Sequence, residues 1–378
     1  MRISHSGTSE RTPPAECDAG GKVRCVDDDA EAVRPGEDLD WAAVESYLRA
    51  ELPELQGEFS YGQFPGGSAN LTYLVAVGER ELVLRRPPFG TIAPGAHDMR
   101  REHRVLSRLW RNFDRAPRAY LFCEDHTVIG SDFFVMERRR GEVVRDELTS
   151  GLAAHDRAGY RIGLAVVDAL ADMHALDPAD CDLADLGKPV GFTARQVAGW
   201  RHRWDLVKGD EPLALMDEVA DRLAATVPEQ PRATLIHNDF KLDNCQFDPA
   251  DPDRVQSIFD WDMTTVGDPL VDFGTLLNYS PDPSDPPGAW RGRAGDWLRD
   301  IGLPTRAEMV ERYGAATGID CSGIGWYEAF AQWKTAVVVR QLHHRWLQGN
   351  SSNPRHETIA EHVPALATVA ADLLRARD

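Results

Sequence analysis

The stretch "HNDFKLDN" at residues 237–244 and the stretch "FDWDMTTVGDPLVDFG" at residues 259–274 together decide which fold this chain can adopt. The apolar runs "ATLI" and "VQSI" precede them and predict short strands that flank polar loops. His237, Asp239 and Asn244 stand in the first loop, and Asp260 follows the second strand. We therefore expect a carboxylate base and two further oxygen-bearing side chains to meet where these strands end.

The spacing of His237, Asp239 and Asn244 matches the catalytic loop of protein kinases. Phosphoryl transfer to a hydroxyl needs a base beside the attacking oxygen and oxygen ligands that hold Mg²⁺ against the phosphates. Asp239 is the candidate base, and Asn244 and Asp260 are the candidate metal ligands. The alternative is a tight turn in which His237 and Asp239 hydrogen-bond to the backbone. For His237 itself, a buried role that braces the loop is favoured over proton transfer.

Both stretches resemble the aminoglycoside phosphotransferase family, which lies within the protein-kinase-like superfamily. The likeness runs from about residue 57 to 345, and it is greatest to the branch that resembles the kinase-like domains associated with acyl-CoA dehydrogenases. The resemblance implies that Asp239 is the catalytic base, that Asn244 and Asp260 bind Mg²⁺, and that Asp272 supports the catalytic loop. It also implies ATP as the phosphoryl donor. One departure is visible, because the family usually has glycine where this chain has Asn238.

Composition limits the partners of the chain. A formal net charge of −19 over 378 residues argues against a broad surface for nucleic acid or for anionic membranes, since both need an excess of Lys and Arg. The six cysteines are scattered without a CxxC pair, which favours reduced thiols. No apolar run approaches the length of a membrane helix, and the N-terminus lacks a signal-peptide pattern. A cytoplasmic protein is expected, and no oligomeric state is predicted.

The order of the patterns along the chain predicts three regions. Residues 1–37 are rich in Gly, Pro, Ser and acids and are expected to form a mobile tail. Residues 38–140 are expected to form a small lobe that contains the nucleotide-binding sheet, and residues 141–378 a mainly helical lobe with the catalytic loop and substrate pocket. The predicted fold class is therefore α+β, a two-lobed protein-kinase-like fold. The predicted elements are three antiparallel strands within 57–86, a helix over 96–110, a strand region over 127–139, and helices within 152–176, 193–227 and 304–376.

The small lobe should supply the groups that hold the nucleotide. In the strand "ELVLRR", Val83 and Arg85 point to one face, so Val83 can touch adenine while Arg85 reaches phosphate. Arg85 replaces the usual kinase lysine, and Glu102 on the following helix is its expected ion-pair partner, although a solvated helix acid is the simpler alternative. Two further segments complete the predicted nucleotide site: the phosphate loop "FPGGSAN" with Gly66, Gly67 and Ser68, for which an ordinary hairpin turn is the alternative, and the hinge at Met136, Glu137 and Arg138.

The acceptor is predicted to be a small hydroxylated molecule. The chain between the hinge and Asp239 is longer than in protein kinases, and the extra residues include Trp200, Arg201, Arg203 and Trp204. The family resemblance implies that this insertion helps to wall the substrate pocket. No APE motif follows Asp260, so a protein substrate is disfavoured. Three alternatives stay open: an antibiotic kinase for aminoglycosides, a kinase for a hydroxyacyl compound or other alcohol, and a nucleotide-binding pseudokinase or sensor without transfer activity.

Overall fold

The computed structural model describes residues 29–65, 70–90, 98–145, 147–209, 213–286, 289–292, 295–351 and 353–376. In these ranges the chain forms a small lobe built on an antiparallel sheet and a large, mainly helical lobe, which confirms the predicted fold class. The predicted tail lies outside the described residues up to residue 28. Its described end contacts the small lobe, because Glu31 pairs with Gln63 and the Arg34 amide donates to the Gln63 side chain at 2.8 Å. The boundary at residue 37 stays a prediction.

The small lobe contains a five-stranded antiparallel sheet in the order β1-β2-β3-β5-β4. Alternation along β3 places Leu82 and Leu84 in a core with the first helix, and it places Val83 on the opposite face. The predicted three-stranded unit is therefore present, with two more strands beside it. The elements are α1 (Trp41–Glu51), β1 (Phe59–Gln63), β2 (Leu71–Val77), β3 (Arg80–Arg86), α2 (Met99–Leu109), β4 (Ala119–Cys123), α3 (His126–Ile129) and β5 (Phe133–Glu137).

The strand predicted over residues 127–139 is wrong in its first part. Residues His126–Ile129 form a one-turn helix, which Asp125 caps by accepting hydrogen bonds from the Thr127 amide and hydroxyl. Gly130 ends this helix in the left-handed conformation, at φ 79°. A capping acid and a terminating glycine five residues apart outweigh the β propensity of the short apolar run between them.

The large lobe contains the catalytic segments between two helical regions. The helical regions predicted within 152–176 and 193–227 each contain two helices. The elements are β6 (Glu142–Val143), α4 (Ser150–Ala153), α5 (Ala158–His174), α6 (Phe192–Val207), α7 (Ala214–Ala225), β7 (Thr234–Ile236), β8 (Cys245–Asp248), β9 (Asp251–Ile258), β10 (Thr265–Gly267), α8 (Pro269–Asn278), α9 (Gly295–Asp300), α10 (Arg306–Thr317), α11 (Ile324–Leu347) and α12 (Val363–Arg375).

One hydrophobic core connects the lobes. Val83, Met99 and Phe134 from the small lobe belong to the same buried cluster as the helices of the large lobe. A second cluster lies on the outer face of the sheet against α1. The inner face of the sheet is thus packed onto the large lobe, and this packing fixes the position of β3 and α2 over the catalytic segments.

The described residues bear on membrane spans and on the state of the cysteines. No helix among the described residues is long and apolar enough to cross a membrane. The four cysteines within the described ranges, Cys123, Cys181, Cys245 and Cys321, are free thiols. Cys17 and Cys25 lie outside the described residues.

Candidate active site

The catalytic loop, residues 237–244, is held by a carboxylate from the next helix. The backbone amides of His237 and Asn238 donate to the two carboxylate oxygens of Asp272, which lies in the first turn of α8 and is fully buried. Asn238 adopts φ 69°, in the left-handed region. Glycine is free of strain there and asparagine tolerates it, so the turn keeps its shape with Asn238 in place of the family glycine.

Asp239 follows this turn with its side chain 27% exposed, so its carboxylate is accessible to a ligand. The carboxylate accepts a bond from Nζ of Lys241 at 2.6 Å. Burial lowers the pKa of Lys241, but the Asp239 charge outweighs it and raises the pKa above its usual value. The sequence analysis missed Lys241, although its place two residues after the candidate base was a visible signal.

Asn244 and Asp260, the predicted metal ligands, are brought to the same end of the strands. The Asn244 side-chain amide donates to the backbone oxygen of Asp239 at 2.9 Å. The backbone oxygen of Asn244 in turn accepts from the Phe259 amide at 2.9 Å. His237 Nε2 donates to the Phe259 carbonyl at 2.8 Å. His237 thus joins the catalytic loop to the Asp260 loop, residues 259–264, which is the position of the brace that the sequence predicts.

The donors of these two residues suit a hard cation such as Mg²⁺, which prefers oxygen ligands. Because Nδ2 of Asn244 is used by the Asp239 carbonyl, its Oδ1 is left as an oxygen donor. Asp260 adds a carboxylate. Within the described ranges no group of three or more His, Cys, Asp or Glu side chains could hold a metal ion by itself.

Arg85 connects the sheet to both acids. Its Nε lies 2.9 Å from Glu102 Oε2, so the predicted ion pair is present, and its Nη2 contacts the Asp260 carboxylate. Burial lowers the pKa of Arg85, but the charges of Glu102 and Asp260 outweigh it and raise the pKa above the usual value. For Asp260, Arg85 and Lys241 outweigh burial and lower the pKa. Arg85 therefore stays cationic at the boundary of the lobes.

Glu102 is buried on α2 and bonds both lobes. Burial raises the pKa of Glu102 above its usual value, and the Arg85 charge opposes this rise and favours the carboxylate of the ion pair. Its Oε1 also accepts from the Trp261 amide at 3.3 Å. The neighbouring Arg101 donates to the backbone oxygens of Thr264 at 2.9 Å and of Leu186 at 3.1 Å. Two successive residues of α2 thus attach this helix to the Asp260 loop, and the sequence analysis missed Arg101.

The phosphate loop is described only at its ends. Gly66, Gly67 and Ser68 lie outside the described residues, so their predicted role stays a prediction. Asn70, at the end of this loop, hydrogen-bonds the side chain of Asp262. Burial and the nearby Asp260 charge raise the pKa of Asp262 to about 6. Asp262 of the Asp260 loop therefore contacts the described end of the predicted phosphate loop at Asn70.

The hinge residues lie at the end of β5, next to the inner face of the sheet. Met136 is buried, and the amide of Glu137 donates to the Arg118 carbonyl at 2.8 Å. This amide is therefore used within the small lobe. Arg138 lies over the ring of Phe64, 4.8 Å from its centroid, and pairs with Asp29. Adenine binding by the backbone of residues 136–138 stays a prediction.

A further buried network supports Asp272 from behind. His174 of α5 contacts Asp272 through Nε2 at 3.4 Å and the hydroxyl of Tyr313 through Nδ1 at 2.7 Å. Asp268 caps α8 by accepting from the Leu270 amide at 3.0 Å, and it also accepts from Tyr327 at 2.8 Å. These contacts fix the start of α8 against the catalytic loop.

The helix α6 from the extra segment lies near the catalytic loop, through Lys334 of α11. Trp200 on this helix faces Lys334 of α11, whose Nζ lies 5.5 Å from the ring centroid. Lys334 donates to the Asn238 carbonyl at 2.9 Å. Arg201 and Trp204 instead bond acids of α7, among them Asp217. Of the predicted pocket wall, Trp200 therefore faces the catalytic loop while Arg201 and Trp204 belong to helix packing.

The chain is similar in sequence to a known enzyme family and to several curated proteins. The model of the "Phosphotransferase enzyme family" matches residues 60–320. Acyl-CoA dehydrogenase family member 11 of Rattus norvegicus is 30% identical over 354 residues, which make up 92% of this chain and 45% of that protein. Acyl-CoA dehydrogenase family member 10 of Mus musculus is 30% identical over 334 residues, which make up 87% of this chain and 31% of that protein. The chain thus spans less than half the length of these curated relatives.

Solved structures share the architecture. A "putative aminoglycoside phosphotransferase" from Ralstonia eutropha superposes with a TM-score of 0.74 at 27% identity, covering 90% of this chain and 99% of that one. An aminoglycoside phosphotransferase in complex with GDP and kanamycin superposes with a TM-score of 0.58 at 15% identity, covering 87% and 98%. At that identity the second likeness shows the fold alone.

Proposed function

Because the chain belongs to the phosphotransferase enzyme family, we propose that it transfers the γ-phosphoryl group of ATP, in the presence of Mg²⁺, to a hydroxyl of a small molecule. The observation that carries this proposal is the convergence of Arg85, Asp239 and Asp260, which are far apart in the sequence. Arg85 contacts Asp260, and His237 joins the Asp260 loop to the loop of Asp239. This is the arrangement that phosphoryl transfer to a hydroxyl requires.

In the proposed reaction, the acceptor hydroxyl binds beside Asp239, and its oxygen forms a bond to the γ-phosphorus while the bond to the bridging oxygen of ADP breaks. Asp239 orients the hydroxyl and takes its proton. Arg85, held by Glu102, contacts phosphate oxygens. Asn244 and Asp260 would hold Mg²⁺, which when bound neutralises phosphate charge. The protein thus contributes mainly positioning and charge.

Asp239→Asn tests the role of the base directly. The substitution keeps the shape of the side chain and removes the proton acceptor, so we expect phosphoryl transfer to fall by about 10²- to 10⁴-fold. The affinity for Mg²⁺-ATP, measured by calorimetry, should stay within about threefold of the unaltered protein, since the change removes only one charge from the nucleotide site. Transfer at a near-normal rate in this variant would contradict the assignment.

A second candidate function is a nucleotide sensor that does not transfer phosphate. It is favoured by Arg85, which stands in the place of the usual lysine and is bonded by both Glu102 and Asp260. The two functions differ in one measurement. ATP consumption that rises when a hydroxylated compound is added, and that requires Asp239, supports the transferase. Tight ATP binding without any such rise supports the sensor.

A further inference from the structure

Among the described residues, Lys334 and Arg203 have no acidic partner, and both lie near the catalytic loop. Lys334 is 8% exposed and donates to the Asn238 carbonyl at 2.9 Å, and none of the described residues accepts another hydrogen bond from its Nζ. The Arg203 guanidinium lies 4.4 Å from the centroid of the Trp200 ring. Within the described part of the chain, neither cation forms an ion pair with a carboxylate. A buried lysine without a carboxylate partner is rare in proteins.

Both cations lie beside the Trp200 ring, near Asp239. The Trp200 ring centroid lies 5.5 Å from Lys334 Nζ, and the same ring carries Arg203. Lys334 bonds the residue that directly precedes Asp239. Lys241 adds a third positive charge, 2.6 Å from the Asp239 carboxylate. A group that contacts Lys334 therefore lies close to Asp239.

The acids that face Lys334 are already used. Asp239 is paired with Lys241, and Asp272 accepts the amides of His237 and Asn238. Burial lowers the pKa of Lys334, and the charges of Lys241 and Arg203 act in the same direction, while those of Asp239 and Asp272 oppose them. The acceptor side thus carries positive charge that the described protein groups do not neutralise.

Bracing the Asn238 carbonyl does not explain this charge. A neutral glutamine could donate the same hydrogen bond without the cost of burying an ammonium group beside other cations. Nor does the brace explain Arg203, whose guanidinium lies over the Trp200 ring. A bound anion would neutralise both cations and accept the unused N–H donors of Lys334.

We propose that Lys334 and Arg203 form an anion subsite, which binds a carboxylate or phosphate group of the acceptor next to its reacting hydroxyl. This inference rests on the proposed function, and it assigns the acceptor to the hydroxylated anions. Polyamine acceptors such as aminoglycosides are repelled by the same cations. The acceptor charge is therefore opposite in sign to that of kanamycin, which is bound by one of the structural neighbours.

Matched acceptors test the subsite. ATP consumption by the full chain with Mg²⁺ is measured with 3-hydroxybutyrate against its methyl ester, with glycerol 3-phosphate against glycerol, and with 3-aminobutan-1-ol. We expect at least one anion to be used about tenfold or more better than its neutral partner, because a hydrogen bond to a charged group is lost in the neutral compound. The carboxylate and phosphate pairs distinguish the two anion types. Equal use of anions and neutral partners, or preference for the amine, overturns the subsite.

Two variants separate charge from folding. Lys334→Gln can keep the bond to the Asn238 carbonyl, and Arg203→Gln changes an exposed residue. The melting temperatures of both variants should therefore lie within a few degrees of that of the unaltered protein. Each variant should raise KM for the preferred anion about tenfold more than it raises KM for its neutral partner. Arg201→Gln, which changes a cation of the same helix that pairs with Asp221, is the matched control and should change neither value. Unchanged KM in both test variants overturns the subsite.

A binding measurement keeps this result distinct from the proposed function. 3-Hydroxybutyrate and glycerol 3-phosphate are titrated into the protein saturated with Mg²⁺ and a non-hydrolysable ATP analogue. Weakened binding in Lys334→Gln supports the subsite even where turnover is slow, and binding of neither anion overturns it. Transfer that depends on Asp239 but shows no preference for anions would keep the proposed function and reject the subsite.

Discussion

Asn238 is the residue at which the catalytic loop is most sensitive to backbone strain. Its φ of 69° costs an ordinary side chain about 1–2 kcal/mol, whereas glycine avoids this strain. We therefore expect Asn238→Ala to lower the free energy of unfolding by about 1–2 kcal/mol and Asn238→Gly to change it by less than about 0.5 kcal/mol. Denaturant unfolding of the two variants measures the difference. Equal stability of the alanine and glycine variants would show that the left-handed turn is not maintained.

His174 is the residue that should make stability depend on pH. Burial lowers the pKa of His174, although the adjacent Asp272 opposes this, and Arg232 adds a further lowering effect. The fold therefore holds the neutral imidazole. As the pH falls below about 6.5, the unfolded chain binds a proton at His174 before the folded protein does, so the free energy of unfolding decreases.

His174→Gln tests this dependence because glutamine does not titrate. We expect the variant to be less stable at pH 8 by about 1–3 kcal/mol, through lost bonds to Tyr313 and Asp272, but to lose less stability than the unaltered protein between pH 7.5 and 5.5. Melting temperatures across this range provide the measurement. Exposed His202→Gln is the control and should keep the full pH dependence. Parallel curves for the His174 variant and the unaltered protein would exclude His174 as the titrating group.

The sequence predicts the residues of the site only where their spacing is local. Asp239 and Asn244 follow from one loop, and Asp260 follows from the strand beside it. Arg85 and Glu102 were paired from strand alternation and the next helix, and the structure confirms the ion pair. Lys334 could not be predicted in this way, because it reaches the catalytic loop from α11, 96 residues further along the chain. Its contact depends on tertiary packing, which no local pattern shows.

At the scale of elements, α2 is the one whose position matters most for the site. Arg101 bonds the Thr264 and Leu186 carbonyls, and Glu102 bonds Arg85 and the Trp261 amide. These hydrogen bonds attach α2 to the large lobe. We infer that Arg101 is a positioning residue, which keeps Glu102 in reach of Arg85.

Arg101→Met should therefore weaken nucleotide use rather than acceptor use. Two charge-assisted hydrogen bonds are lost, so we expect KM for Mg²⁺-ATP to rise about tenfold or more, with KM for the acceptor within about twofold. Arg101→Lys should recover part of the effect, since lysine can reach one carbonyl. The neighbouring Arg100, exposed and paired with Glu124, provides Arg100→Met as the control. A rise in both KM values, or none, would contradict a positioning role for Arg101.

Elements were predictable in proportion to the length and regularity of their patterns. The strands β1 to β3 alternate clearly and were predicted close to their observed bounds. The strand β4 was missed because "AYLFC" spans only five residues between polar segments, and its identity depends on pairing with β5. The apolar run within α3 favours a strand, and only its capping residues, Asp125 and Gly130, indicate a helix. Long helices were placed correctly but not divided at their interruptions.

At the scale of the whole molecule, the two-lobed fold followed from the catalytic spacing, but the way the lobes are joined did not. The sequence suggests a division near residue 140, yet Val83, Phe134 and Met136 belong to the same buried cluster as the helices of the large lobe. Contacts of this kind join residues that are distant in sequence, so neither periodicity nor composition reveals them. The continuous core implies that the lobes depend on one another for stability.

The molecule should therefore unfold in one transition, which Mg²⁺-ATP shifts upward as a whole. Ligand at about 100 times its Kd adds about 2.7 kcal/mol to the free energy of unfolding, so calorimetry should show a single peak that moves by a few degrees. Asp260→Asn removes a ligand charge while asparagine tolerates the left-handed φ of 68° at this position, so the apo peak should persist and the shift should shrink. Glu311→Gln, an exposed acid on α10, is the control and should keep the full shift. An early peak from the small lobe alone would show that the shared core does not couple the lobes, and a full shift in Asp260→Asn would remove Asp260 from the nucleotide site.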